Sequence, residues 1–169
     1  METLEAIRTR RSIRQYTDRP VPQEAVQNLL QAAMQAPSAR NYQPWHFIVI
    51  NDRQMLDTIA REHPYADMLQ QAPLAIVLCG DLTLEKESGY LAVNNAAATQ
   101  NILLAAHDLG LGAVWIGVYP RESRIAMVSK ILHLPEHILP IALVAVGYAA
   151  ESKSAVNRFK PERVRYNRW

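Results

Sequence analysis

The chain holds one cysteine, Cys79, among its 169 residues. A single thiol closes no intrachain disulfide and rules out every multi-cysteine metal site. That usage fits a reducing compartment. Cys79 ends the apolar run Leu74-Ala75-Ile76-Val77-Leu78-Cys79. It reads as a core residue and not a nucleophile, because a buried thiol stays protonated and inert. Long apolar runs are missing too. The longest, Ile138 to Ala150, is broken by Pro140 and Gly147 and is too short to span a bilayer. Met1-Glu2-Thr3-Leu4-Glu5 has no signal-peptide-like apolar stretch. A cytoplasmic protein with no membrane association is expected.

Familiar catalytic sets are also absent. His46, His63, His107, His133 and His137 form no paired-ligand motif of the H-E-x-x-H kind; each reads as a surface or satisfied core histidine. No serine sits in a G-x-S-x-G setting, and no carboxylate pair stands out for glycosidase chemistry. Neither a G-x-G-x-x-G fingerprint nor a P-loop is present. A chain without an acid/base set suits an enzyme whose cofactor carries the reaction.

What is present is ordinary in amount but uneven in place. The apolar fraction is 49% and the charged fraction 20%, both usual for a globular chain. The length predicts one domain, 1–169. Net charge is only +2, yet 11 of the 18 basic residues lie in the first twenty and last nineteen positions. The stretch between them carries 7 basic against 11 acidic residues. Two basic ends on an acidic body point to an anion-binding place where the ends meet; two solvated tails are the other reading.

Apolar spacing predicts a short first helix around Leu4, Ala6 and Ile7, with Thr3 as its cap. Arg10 to Arg19 breaks the pattern and reads as a loop or extended piece. A second helix follows Pro22 and stops at Pro37. The segment from Pro37 to Pro44 is irregular. Strands are expected at Trp45–Ile50, Leu74–Cys79, Ala113–Val118 and Ile141–Val146. Asn51 or Asp52 caps a helix carrying Met55, Leu56 and Ile59. A long Ala-rich helix runs from Leu91 to Leu109 and stops at Gly110. Its small side chains suit close or dimeric packing. Ile125, Val128, Ile131 and Leu132 mark one more helix, and residues 149–163 show no period. Strands alternating with helices indicate an α/β or α+β sandwich.

Three segments could carry chemistry. Arg10-Arg11-Ser12-Ile13-Arg14 offers guanidiniums that bind phosphate bidentately and never lose their charge. Ile13 and Tyr16 argue that this segment docks on the core. Pro37-Ser38-Ala39-Arg40-Asn41-Tyr42-Gln43-Pro44-Trp45 is pinned by prolines. Its Ser38, Asn41 and Gln43 can bond a polar heterocycle edge or a ribityl chain, or cap their own loop. Gly110-Leu111-Gly112-Ala113-Val114-Trp115-Ile116-Gly117 lets backbone amides approach a flat ligand, or is simply a helix stop before a core strand.

In order along the chain, these segments resemble the nitroreductase family. The resemblance rests on Arg10-Arg11-Ser12-Ile13-Arg14-Gln15-Tyr16, Ala36-Pro37-Ser38 and Asn41-Tyr42-Gln43-Pro44-Trp45-His46-Phe47. It continues through Ala98-Thr99-Gln100-Asn101-Ile102-Leu103-Leu104-Ala105-Ala106, Leu109-Gly110-Leu111-Gly112 and Trp115-Ile116-Gly117. It closes with Gly147-Tyr148, Arg158 and Tyr166-Asn167-Arg168-Trp169. The likeness implies an α+β fold, a three-layer α/β/α-like sandwich on a mixed, largely antiparallel sheet. It implies an intertwined homodimer with FMN at the subunit interface, the segment from about 150 to 169 reaching onto the partner. By position, Arg10, Arg11 and Ser12 look like phosphate and ribityl contacts, and Arg14 like the cation beside the flavin N1/O2 edge. Pro37, Ser38, Asn41 and Gln43 resemble contacts made from the partner. Ile116 and Gly117 resemble the segment facing N5, and Arg158 the C-terminal phosphate ligand. Lys160 and Arg163 are weaker phosphate candidates. The implied activity is ping-pong hydride transfer from NADH or NADPH to a small-molecule acceptor such as a nitroaromatic or quinone. The short stretch between Leu78 and Tyr90 shows no extended substrate lid. A flavin-holding protein with little turnover is the alternative. A nucleic-acid module built on the basic ends is disfavoured by the acidic middle and the absence of a basic helix or RNP motif.

Overall fold

A computed structural model describes residues 1–169. Five helices surround four strands in chain order: α1 (Thr3–Thr9), α2 (Gln23–Met34), β1 (Trp45–Ile50), α3 (Arg53–Glu62), β2 (Leu74–Asp81), α4 (Ser88–Asp108), β3 (Gly112–Gly117), α5 (Glu122–Ile131) and β4 (Ile138–Gly147). The sheet order is β1-β2-β4-β3, and every neighbouring pair is antiparallel. The mixed character expected of the sheet therefore shrinks to one isolated bridge, Ser12 running parallel to Ala113.

Successive strand residues face opposite sides, and both sides are covered. Ala75, Val77 and Cys79 join Leu56 and Ile59 of α3 and Val128 of α5 in one apolar cluster. Leu74, Ile76 and Leu78 join Val26 and Leu29 of α2 and Ile102 and Leu103 of α4 in another. Two cores on two faces make the three-layer α+β sandwich. This is why all eight residues of β2 are buried and why its sequence runs apolar from Leu74 to Cys79 rather than alternating. Burial pushes the Cys79 thiol up to about 12, so it stays protonated.

Element ends follow local chemistry. Asp52 Oδ1 accepts the Met55 N–H at 2.8 Å and caps α3. Thr3 does not cap α1; it is the first helical residue, preceded by Glu2 without a side-chain cap. α2 ends at Met34, three residues before Pro37, because Pro commonly lies one to three residues past a helix end. Gly110 adopts φ 72° and closes α4, where the Leu111 N–H returns to the Ala106 carbonyl at 2.8 Å. β4 begins three residues before the expected Ile141 and takes in Pro140, at the point where its register against β2 shifts. A strand proline is tolerated at such an irregularity because the ladder is already broken there. The basic segment after α1 is extended, as its sequence indicates. Ile13 N–H donates to the Ala113 carbonyl at 3.1 Å, and Thr17 N–H to the Tyr148 carbonyl at 2.9 Å. Ile13 lies so close over Gly112 that a Cβ there would meet it at 2.7 Å. No helix is long and apolar enough to cross a membrane.

Candidate functional site

The extended segment 10–17 carries the basic motif between the start of β3 and the chain leaving β4. Its polar grip comes from the C-terminal segment. Glu151 Oε1 accepts the Arg14 backbone N–H at 2.6 Å, and Lys153 Nζ donates to the Ser12 carbonyl at 2.8 Å. The Arg14 N–H, then Lys153, holds the Glu151 carboxyl below its ordinary value. Arg11 completes the latch. Its Nε donates to the Ser154 carbonyl at 2.9 Å and its Nη2 to that of Val156 at 3.4 Å, while Nη1 takes the Arg8 and Arg10 carbonyls. The Arg11 guanidinium is thus directed at backbone oxygens and joins the two basic ends.

Arg10 behaves differently. Its Nη1 is buried with no hydrogen-bond partner. Arg10, Arg11 and Arg158 line one cavity of about 660 Å³ with Ile7 and Phe159. Burial first, then the cations of Arg158 and Arg11, push the Arg10 guanidinium below its ordinary value. A buried, unpaired cationic donor facing another guanidinium is a place for an anion. The convergence expected from the charge distribution is present within one chain. Lys160 and Arg163 are exposed and do not line this cavity.

A second cavity, about 460 Å³, lies at the other end of the basic segment. Arg14 lines it together with Tyr65, Met68, Trp115, Ile116 and Gly117. The Trp115 side chain is 39% exposed and Tyr65 66%, so aromatic surface borders the opening, and a Cβ at Gly117 would meet nothing within 4 Å. Cation, aromatic walls and an open strand end suit a flat, electron-accepting ring.

The loop between Pro37 and Pro44 stands apart from both cavities. Its Ser38 Oγ accepts the Gln43 N–H at 2.9 Å, and Gln43 Nε2 donates to Asn41 Oδ1 at 3.0 Å. Asn94 Oδ1 on α4 accepts the Ala39 N–H at 3.0 Å. Arg40, Asn41 and Gln43 all have positive φ, 53°, 56° and 48°, a cost that surrounding structure must over-determine and that gathers at binding sites. Within one chain these polar side chains cap their own loop.

Residues unmarked by any motif complete the site. His63 is 1% exposed, with both ring nitrogens bonded to backbone, a satisfied core histidine. Glu151 and Lys153 pin the tail. Their backbone partners, the Arg14 N–H and the Ser12 carbonyl, lie more than a hundred residues away, so no local spacing announces them. No group of three or more His, Cys, Asp or Glu side chains could hold a metal ion.

Fold and site together define an α+β sandwich with a guanidinium-lined cavity and a separate aromatic-walled cavity at a strand end. The nitroreductase family model matches residues 7–64 and 52–148. A Methanothermobacter thermautotrophicus protein provisionally named NADH dehydrogenase/NAD(P)H nitroreductase is 48% identical, over 100% of this chain and 88% of that one. A Parabacteroides distasonis crystal structure under the same provisional name superposes with TM-score 0.95 at 44% identity, covering 99% and 98% of the two chains. A provisionally named nitroreductase from Desulfovibrio desulfuricans, solved in complex with FMN, gives TM-score 0.86 at 34% identity, covering 100% and 98%. The chain belongs to the nitroreductase family.

Proposed function

We propose that this chain, an FMN-dependent NAD(P)H oxidoreductase, reduces nitroaromatic, quinone or related acceptors by a ping-pong mechanism, as a homodimer. The observation that carries the reading is the buried, partnerless Nη1 of Arg10 beside Arg158. It fits a phosphate monoester, and the second cavity fits the attached ring. Bound FMN supplies the hydride carrier between NAD(P)H and the acceptor.

The chain's own residues bind and tune. Arg10 and Arg158 hold the phosphate, with Ser12 adding a hydroxyl donor. Arg11 contributes by holding the tail that brings Arg158 in. Arg14 places a permanent cation at the ring cavity, where it attracts negative charge developing during reduction. Ile116 and Gly117 form the strand-end wall. The loop with Pro37, Ser38, Asn41 and Gln43 reaches the ring from a second copy, since in one chain it meets neither cavity. The segment from about 150 to 169, rooted on its own chain through Glu151, Lys153 and Ser154, extends its far end onto that copy, because Phe159 and Trp169 are 72% and 102% exposed at home. Val93, Tyr90 and Leu4 on α4 and α1 supply further apolar surface for the interface. The lone buried Cys79 suits a reducing cytoplasm.

The test is direct. Purified protein takes up FMN and turns yellow, NAD(P)H bleaches it, and initial rates against a quinone or nitro acceptor give parallel double-reciprocal lines. A colourless protein that ignores added FMN refutes the reading, and a yellow protein without turnover leaves only a flavin-holding role. Arg14→Ala should slow flavin reduction about tenfold while the melting temperature stays near wild type. An unchanged reduction rate removes Arg14 from the mechanism.

A further inference from the structure

We propose that His63 and Arg124 are a positioning pair that clamps the Gly117 carbonyl and fixes the end of β3 as the wall for the flavin ring. The proposal rests on the FMN reading above. His63 Nδ1 accepts the Tyr65 backbone N–H at 3.2 Å. The ring proton is therefore on Nε2, which donates to the Gly117 carbonyl oxygen at 3.1 Å. Arg124 Nη1 donates to the same oxygen at 3.0 Å, and its guanidinium lies over the Tyr65 ring, 5.0 Å from the centroid. Tyr65 and Gly117 both line the cavity that Arg14 enters.

Three separate segments meet at this one oxygen: the chain after α3, the end of β3 and the first turn of α5. A carbonyl is satisfied by one donor. Two donors, one of them charged, set its direction. The Val118 N–H, at the other end of the same peptide, donates to the Ile141 carbonyl at 3.3 Å. The Gly117–Val118 peptide is thereby held at both ends. Its first residue is a glycine, which has the widest backbone freedom; without the clamp, the strand end could turn its carbonyl toward the ring and oppose negative charge there. His63 serves only as the neutral tautomer, because a charged ring has no lone pair for Tyr65. Burial, the largest influence, holds it below its ordinary value and favours that state. Arg124 adds a second fixed cation to the wall that Arg14 lines, favouring the negatively charged reduced flavin.

The experiment compares His63→Leu, His63→Gln, Arg124→Met and Arg124→Lys with wild type. It reads the dissociation constant of FMN from the apoprotein by fluorescence quenching, and the two-electron midpoint potential by dye-equilibrated titration. His63→Leu should weaken FMN about tenfold, while His63→Gln, which keeps a donor, should stay within about twofold. Arg124→Met should lower the preference for reduced over oxidised flavin about tenfold, equivalent to about 30 mV for two electrons, and Arg124→Lys should recover most of it. Arg124 is a half-buried helix residue, so its variants report even if His63→Leu does not fold. Wild-type affinity and potential in both Arg124→Met and His63→Leu overturn the pair, as does a His63→Gln as weak as His63→Leu, which assigns the effect to packing. A wild-type protein that binds no FMN fails the functional reading instead.

Discussion

The middle of the sheet and the tail after Tyr148 are the same polymer under opposite conditions. Every residue of β2 is buried, as is every residue of β4 from Pro140 to Gly147. From Ala149 to Trp169 none is buried, and only Glu151 is half-buried. The tail is nevertheless not a polar string, since Val156, Phe159, Val164, Tyr166 and Trp169 stand exposed along it. Apolar side chains are buried only where something covers them, and for β2 and β4 the cover is two layers of helices. The tail has no such cover in its own chain. It is held by polar contacts at its root, through Glu151, Lys153 and Arg11, and its far end presents aromatic surface to whatever lies outside.

The largest expected effect is on the buried side of this contrast. Leu143→Ala, at a fully buried site in the cluster formed with α3 and α5, should lose about 3 kcal/mol of stability in urea unfolding; a loss under 1 kcal/mol would mean that the core collapses around the gap. Next comes the tail. On the proposed homodimer, removing residues 159–169 should leave only monomer by sedimentation and weaken FMN about a hundredfold, while β2 and β4 keep their hydrogen-exchange protection. A truncated protein that stays dimeric would show that the tail covers nothing. Smaller is Arg158→Ala, which should weaken FMN about tenfold in dialysis retention; unchanged retention would remove the tail from the phosphate site.

The smallest effect is a pH step confined to the tail's root. The Glu151 carboxyl is held below its ordinary 4.5 by the Arg14 N–H and Lys153. Its contribution is complete above that value and is lost as pH falls through the lower folded-state value. Exchange of the Arg14 amide, taken relative to its intrinsic rate, should therefore stay flat from pH 7 to 5 and rise below 4.5, with β2 still protected. Glu151→Gln should show the fast exchange already at pH 7. A tail that opens at the same pH as the sheet would erase the distinction between the two regions.

Much of the site was legible because its residue types are chemically narrow. Guanidiniums crowded at both termini of an otherwise acidic chain have few uses, and Arg10 and Arg158 do share a cavity. The turn chemistry of Pro37 to Pro44 and the glycines around β3 were legible for the same reason. Arg11 was not, because a guanidinium that binds phosphate and one that staples backbone carbonyls look identical in sequence. His63 read as a surface or satisfied core histidine, and Arg124 carried no signal. Their meeting point is a backbone oxygen, and any residue can supply one.

Local spacing settled which stretches became helix and strand, because periodicity and end signals act within a few residues. The apolar run from Leu74 to Cys79 indicated a strand; that both of its faces are covered was decided by the helices packed on them. Strand order, the position of Pro140 at a register shift, the partnerless nitrogen of Arg10 and the doubly held carbonyl of Gly117 belong to tertiary structure alone. They depend on groups from separate elements, some as far apart in the chain as Arg10 and Arg158, arriving side by side. Chain proximity does not encode that arrival; the packing of the whole sandwich does.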